Sequence, residues 1–104
     1  MDKKRINQII KKYLEILEAN NLKVKDVFLF GSCIKGNFDE NSDIDLAIVS
    51  DDFTGDSIDN QFLLMKLCRK VDISIEPHPF VSEDFTDDNP FAREIIRTGE
   101  RVKL

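Results

Sequence analysis

The sequence predicts an α+β fold, a small mixed β-sheet with helices packed on it, in a single domain that spans residues 1–104. Two observations support this prediction. Helical and strand periodicities alternate along the chain in the order αβαβαβα. The length of 104 residues, with 41% hydrophobic and 34% charged residues, is typical of one globular domain with a modest core.

The first helix is predicted over residues 2–19. Its apolar residues recur at helical spacing and form one stripe, made of Ile6, Ile9, Ile10, Tyr13, Leu14 and Leu17. The asparagines at 20–21 should end this helix, because asparagine tolerates the left-handed conformation of a C-terminal cap. The apolar run of residues 25–30 predicts a strand that ends at Gly31, and a short helix should begin at Ser32.

A second strand is predicted over residues 43–49, and Asp56 or Ser57 could cap the helix that follows it. This helix should run to about Lys70. The side chains that we expect to face the core are Phe62, Leu63 and Leu67, with Ile58 as a further candidate.

A third strand is predicted over residues 71–76, where apolar and polar residues alternate with a period of two. Pro77-His78-Pro79 should end it, because proline has no N–H group to donate to a β-ladder. A final helix should run from Asn89-Pro90 to about Thr98, since proline suits the first turn of a helix. Residues 101–104 should form a short extended tail.

Asp43 and Asp45 stand one residue apart at the head of the second strand. Alternate side chains of a strand share a face, so the two carboxylates should point to the same place, with Ala47 and Val49 behind them. Two anions held side by side repel each other, and a fold that keeps them together usually places a divalent cation between them. Oxygen ligands of this kind suit Mg²⁺, which commonly arrives with the phosphates of a nucleotide.

The turn at Gly31-Ser32 predicts a phosphate site beside these carboxylates. A Gly-Ser turn that opens a helix offers free backbone N–H groups, a hydroxyl and the positive end of the helix dipole. Ser32 can serve as a helix cap and as a phosphate donor in different states, and Lys35 adds a cation nearby. A phosphate cradle next to paired carboxylates is suited to metal-assisted phosphoryl or nucleotidyl transfer.

These motifs resemble a known family. Gly31-Ser32, ten intervening residues and Asp43-Ile44-Asp45 are similar to the signature of the nucleotidyltransferases related to DNA polymerase beta. The short chain and the Ser-Asp-Ile-Asp-Leu segment resemble the minimal nucleotidyltransferases of bacteria and archaea. The resemblance covers about residues 25–76 and implies the polymerase-beta-like nucleotidyltransferase fold. Relatives often carry an arginine near the second glycine, where this chain has Lys35, which keeps the charge without the planar guanidinium.

The resemblance also implies a third carboxylate in a segment similar to residues 69–75, and Asp72 matches it. It would act as the general base or bind the catalytic metal. Glu76, two positions beyond the segment's polar residue Ser74, is the competing candidate on the same strand face. The implied site therefore has Asp43, Asp45 and Asp72 as catalytic and metal-binding residues. Its other members are the nucleotide-binding Gly31, Ser32 and Lys35, together with Mg²⁺ and ATP or another nucleoside triphosphate as the substrate. Two roles are left open for His78, that of a site residue and that of a residue in a surface loop.

The overall charge narrows the choice of partners. A formal net charge of −5 argues against a nucleic acid as the direct ligand, because such binding needs a basic surface.

No apolar run approaches the roughly 20 residues that cross a bilayer. Cys33 and Cys68 have no metal-ligand spacing and indicate reduced thiols, so we expect a cytoplasmic protein.

Two functions follow from the sequence. The first is a metal-dependent enzyme that moves a nucleoside monophosphate, AMP from ATP, to a hydroxyl on an acceptor. The resemblance implies that the acceptor is a small helical protein of the HEPN class, encoded by a neighbouring gene and paired with this chain as toxin and antitoxin. The alternative is an antitoxin or binding module that neutralises that partner by contact, with little or no catalysis. Both functions are compatible with an oligomer of this chain.

Overall fold

The computed structural model describes residues 3–31, 43–53, 57–72 and 74–104. In chain order these form α1 (Lys3–Ala19), β1 (Asp26–Phe30), β2 (Ile44–Val49), α2 (Ser57–Cys68), β3 (Ile75–Phe80), a 3₁₀ helix (Ser82–Asp84), α3 (Pro90–Thr98) and β4 (Glu100–Arg101). The strands form one sheet in the order β3-β2-β1-β4. Strands β2 and β3 run parallel, while β1 is antiparallel to both of its neighbours. The predicted α+β fold with a mixed sheet is therefore confirmed. The short helix predicted to begin at Ser32 lies outside the described residues.

Helix α1 packs through the predicted apolar stripe. Four of its side chains are buried: Ile6, Ile10, Tyr13 and Leu17. Ile9 and Leu14 are partly buried at the margins of the same stripe. The helix ends at Ala19, and Asn21 has a φ of 66°, which is the left-handed conformation expected of a residue that ends a helix.

Helix α2 buries Leu67, as predicted, but not the other residues that were expected to face the core. Its buried residues are Leu64, Leu67 and Cys68. The Tyr13 hydroxyl donates a hydrogen bond of 2.9 Å to the Leu64 carbonyl and so joins α1 to α2. Ile58, Phe62 and Leu63 are 76%, 72% and 42% exposed, so the prediction that they face the core is wrong. Apolar side chains occur on more than one face of this helix, and periodicity therefore could not select the buried one.

The two faces of the sheet bury separate sets of side chains. The face covered by α1 and α2 carries Val27, Leu29, Ile44, Leu46 and Ile48. The opposite face carries Phe28, Phe30, Ala47 and Val49, which pack with Ala92 and Ile95 of α3. Because side chains alternate along β2, Asp45 shares the α3 face with Ala47 and Val49. The candidate site therefore lies on the side of the sheet away from α1 and α2.

Strand β3 begins later and ends later than predicted. It spans Ile75–Phe80 and runs through the two prolines that we expected to end a strand over residues 71–76. The reason is that β3 is an edge strand that pairs with β2 alone. Backbone groups of Ser74 and Phe80 bond to β2, so Pro77 and Pro79 at alternate positions face the free edge, where no N–H is needed. The Pro77 carbonyl on that edge accepts a 2.7 Å hydrogen bond from the Gln61 side chain.

The final helix agrees with its prediction. The Asn89 side chain caps α3 by accepting hydrogen bonds from the backbone N–H groups of Phe91 and Ala92, at 3.0 and 3.3 Å. After Gly99 the chain continues as β4, which pairs with β1 at Phe28 and Leu29. Among the described residues, no helix has both the length and the hydropathy that a bilayer crossing requires.

Candidate active site

Three neighbouring strands bring the candidate site together on the α3 face of the sheet. Asp45 of β2 lies opposite Phe30 of β1 on one side and Glu76 of β3 on the other. The next pair along the parallel strands on the same face is Ala47 and His78. Ala47 itself is fully buried in the core beneath α3, with Ala92 and Ile95.

Asp45, Glu76 and His78 are close enough to share one ligand. Each offers one donor atom, and these three atoms all lie within 4.8 Å of one another. His78 Nε2 is 3.5 Å from Asp45 Oδ1, which is too long for a good hydrogen bond. This nitrogen is shielded from solvent and makes no hydrogen bond with any described residue.

Burial and mutual repulsion disfavour the ionised forms of Asp45 and Glu76 in this cluster. Burial raises the pKa of Asp45, and the charge of Asp43 raises it further, while His78 opposes the shift. The pKa of Glu76 is also raised, first by burial and then by the charge of Asp45, with Asp43 adding to the effect. A divalent cation bound between the two carboxylates would offset both their burial and their mutual repulsion. The donor set of carboxylates and one imidazole fits a divalent metal ion.

Gly31 makes room for this cluster. It follows the last residue of β1 and has a φ of 79°, in the left-handed region that favours glycine. A Cβ at this position would lie 3.3 Å from Asp45 Cγ and closer still to Asp45 Oδ2. A side chain here would therefore collide with the carboxylate. The other two predicted phosphate contacts, Ser32 and Lys35, lie outside the described residues.

The structure does not bring Asp72 to this cluster. Its Oδ1 accepts hydrogen bonds from the Ser74 backbone N–H at 2.8 Å and from the Ser74 hydroxyl. These bonds lower the pKa of Asp72, with a smaller contribution from the charge of Arg5. Because β3 begins at Ile75, Asp72 precedes the strand, and the carboxylate opposite Asp45 belongs to Glu76.

The sequence left open whether His78 is a site residue, and it favoured Asp72 over Glu76 as the third carboxylate. The signal that could have found both is the spacing of residues 76 and 78, which share a face if the strand continues through the prolines. An edge strand allows that continuation. Because Pro77 was expected to end the strand, Glu76 and His78 were not recognised as neighbours on one face of it.

An aromatic cluster holds the His78 ring in place. Its centroid lies 5.2 Å from that of Phe30 and 5.7 Å from that of Phe91, and those two phenylalanines are 5.8 Å apart. These separations are those of favourable aromatic pairs. The packing limits the rotation of the imidazole and keeps its Nε2 atom directed at Asp45.

An apolar groove of about 520 Å³ begins at His78 and leads away from the carboxylates. We call it the β3 groove. It is lined by Ile58, Phe62 and Met65 of α2 on one side and by Pro79, Phe80 and Phe91 on the other. The exposed apolar side chains of α2 thus lie next to the candidate site.

Comparison with protein families gives one match that spans nearly the whole chain. The family model described as "Polymerase beta, Nucleotidyltransferase" matches residues 5–103. A comparison with curated protein sequences found no match.

Solved structures show the same fold. A Sulfolobus solfataricus protein provisionally described as a nucleotidyltransferase is similar with a TM-score of 0.61 and 16% identity, covering 94% of this chain and 78% of that one. A mutant of the toxin–antitoxin MntA-HpeT gives a TM-score of 0.60 and 23% identity, covering 89% and 70%. A toxin–antitoxin with AMP-PNP gives 0.52 and 26%, covering 84% and 83%.

Proposed function

The chain belongs to the polymerase beta nucleotidyltransferase family, and from this membership we propose that it is a metal-dependent enzyme that transfers AMP from ATP to a hydroxyl group. The observation that carries the proposal is the meeting of Asp45 and Glu76 next to a glycine whose missing side chain leaves their carboxylates accessible. A binding surface without catalysis has no need for crowded carboxylates with raised pKa values.

Asp43, Asp45 and Glu76 are the residues that we propose to hold Mg²⁺. When bound, the metal would neutralise charge on the triphosphate and on the departing pyrophosphate. Gly31 lets the phosphates approach the backbone at the end of β1, and Ser32 and Lys35 are proposed phosphate contacts. That a similar structure contains AMP-PNP supports an adenine nucleotide as the substrate.

In the proposed reaction, the acceptor oxygen attacks the α-phosphorus, the bond from that phosphorus to the pyrophosphate oxygen breaks, and pyrophosphate leaves. The proton of the acceptor hydroxyl passes to a carboxylate. We assign this role to Glu76, in place of Asp72, because its side chain is exposed beside Asp45, whereas Asp72 is not part of the cluster.

We propose that the acceptor is a partner protein, a small helical protein of the HEPN class encoded by a neighbouring gene. Two similar structures are of toxin–antitoxin proteins, which supports a partner of this kind. The net charge of −5 favours a protein acceptor over a nucleic acid, because a polyanion would be repelled.

Intact-mass analysis of the neighbouring-gene product tests the proposal. That protein is incubated with this chain, Mg²⁺ and each nucleoside triphosphate in turn, and a parallel set contains EDTA. We expect a mass increase of one AMP with ATP and Mg²⁺, and none with EDTA. Transfer in EDTA would contradict a metal-dependent reaction, and transfer of another nucleotide alone would contradict the choice of ATP.

A second candidate function is favoured by the β3 groove. Its exposed apolar side chains, with Ile58 and Phe62 the most exposed, are the kind of surface that a partner protein covers. The chain would then neutralise its partner by contact, with little or no catalysis. Neutralisation without any nucleotide distinguishes this function from the enzyme.

A further inference from the structure

His78 is the part of the site for which the polymerase-beta-like signature in this sequence gives no role. Its Nε2 atom is shielded from solvent, points at Asp45 and makes no hydrogen bond with the described part of the chain. Buried polar atoms are nearly always hydrogen-bonded, and this nitrogen has only the long 3.5 Å contact with Asp45 Oδ1, which leaves it available to a ligand.

The spacing between the donor atoms suits a shared metal better than a hydrogen bond. Two ligands of one metal, each at about 2.0–2.2 Å from it, lie about 3–4 Å apart. The 3.5 Å between His78 Nε2 and Asp45 Oδ1 falls in that range. Phe30 and Phe91 restrict the imidazole, which keeps the nitrogen in this position without a metal.

We propose that His78 is a metal ligand beside Asp45 and Glu76, and that this site prefers a first-row transition ion such as Mn²⁺ to Mg²⁺. The inference rests on the proposed function, because the metal is the one that the proposed reaction needs. Mg²⁺ takes oxygen ligands and keeps its waters, whereas the first-row ions bind an imidazole nitrogen more readily, Mn²⁺ the least strongly among them. One nitrogen among the carboxylates should therefore change the preferred metal.

The chain contains a single histidine, which makes the test direct. Untagged protein is loaded with Mn²⁺ in the presence of AMP-PNP, and pulsed electron paramagnetic resonance measures coupling of the metal to imidazole ¹⁴N. We expect this coupling in the wild type and its absence in His78→Phe. The phenylalanine retains an aromatic ring between Phe30 and Phe91, so the variant should remain folded, and its circular dichroism and thermal unfolding check this.

Calorimetric titration of the same proteins gives a second measurement. Loss of the nitrogen ligand should weaken Mn²⁺ binding by at least about tenfold, the lower end of what even the loss of an outer-shell partner causes. Mg²⁺ binding should change much less. His78→Asp, which replaces the nitrogen by an oxygen ligand, should shift the preference toward Mg²⁺.

The outcomes separate this inference from the proposed function. Mn²⁺ bound without ¹⁴N coupling, or an equal loss of Mn²⁺ and Mg²⁺ affinity in His78→Phe, would overturn the role of His78 and leave the carboxylate site intact. Failure of the wild type to bind either ion in the presence of AMP-PNP would overturn both the inference and the metal-dependent reaction.

Discussion

Glu76 and Asp72 are only four residues apart, yet the structure gives them opposite electrostatic surroundings. Glu76 is crowded by Asp45, and its pKa is raised by burial and by that charge. Asp72 receives hydrogen bonds from Ser74, which lower its pKa and stabilise its ionised form. In the proposed reaction Glu76 accepts the proton beside Asp45, whereas the hydrogen-bonded Asp72 orders the turn before β3.

Glu76→Gln should therefore lower the rate of AMP transfer by roughly 10²–10⁴-fold, the usual effect of removing a general base. The matched control is Asp72→Asn, which should keep most of the activity and lose some stability. Rates measured by intact mass, with urea unfolding of both variants, check this. A large loss of transfer in Asp72→Asn with full activity in Glu76→Gln would assign the third carboxylate to Asp72.

Asp45 of β2 and Asp43, which directly precedes the strand, are expected to lower stability when no metal is bound. Burial and the charge of Asp43 raise the pKa of Asp45, so folding favours its protonated form. The contribution of Asp45 to stability is thus full at low pH and is lost as the pH rises through its folded pKa. At neutral pH the ionised carboxylate opposes folding.

Asp43→Asn combined with Asp45→Asn should therefore abolish transfer while leaving metal-free thermal stability equal to or above that of the wild type. The reason is that the double substitution removes two charges that repel each other. Thermal unfolding in EDTA measures the effect. A marked loss of stability in EDTA would indicate a structural role for the pair.

At the scale of elements, α1 and α2 are joined on the face of the sheet opposite the candidate site. The buried Tyr13 hydroxyl donates its hydrogen bond to Leu64 of α2. Tyr13→Phe should reduce the free energy of unfolding by about 1 kcal/mol, typical of a lost hydrogen bond, and should leave nucleotide binding unchanged.

Chemical denaturation and calorimetric titration measure these two effects of Tyr13→Phe. Thr98→Val is the matched control, because its hydroxyl donates a 2.8 Å hydrogen bond to the Glu94 carbonyl on the exposed surface of α3. Its loss should cost much less. Weaker nucleotide binding in Tyr13→Phe would show that the two faces of the sheet are coupled.

The elements that could be predicted from the sequence are those with one clear apolar face. The stripe of α1, the apolar runs of β1 and β2, and the Asn89-Pro90 start of α3 all appear where expected. The local preferences of these four elements agree with how they pack, so hydrophobic periodicity and capping residues were sufficient to place them.

The third strand could not be placed in this way, because the role of a proline depends on the position of its strand in the sheet. Pro77 and Pro79 are compatible with β3 only since this strand lies at an edge, and the order of strands is not visible in local sequence. Because of this error the sequence favoured Asp72 as the third carboxylate, and Glu76 and His78 were not placed together beside Asp45. Asp43 and Asp45 were easier to pair from the sequence, since only Ile44 separates them in the chain.

On the scale of the whole molecule, charge and apolar surface are segregated around the candidate site. The carboxylates lie at one side of His78, and the β3 groove leads away at the other. A nucleotide with its metal fits the first region, and an apolar protein surface fits the second. In the proposed enzyme a partner seated on the groove would present a hydroxyl near Glu76.

Ile58→Ser combined with Phe62→Ser tests this arrangement. Both side chains are exposed, so the double variant should fold normally, while its affinity for the helical partner should fall at least tenfold, as expected for about 1.4 kcal/mol of lost contact. Lys66→Ser, an exposed polar substitution on the same helix, is the control and should bind as the wild type does.

The measured consequences separate the two proposed functions. If the chain is the enzyme, the Ile58 and Phe62 double variant should transfer AMP to its partner slowly at low partner concentration and recover at high concentration, because the carboxylates are untouched. If the chain acts by contact alone, the same variant should lose neutralisation at equal concentrations, and Glu76→Gln should neutralise fully without nucleotide. Unchanged partner affinity in the double variant would mean that the partner binds elsewhere on the molecule, and the β3 groove would then have no part in either function.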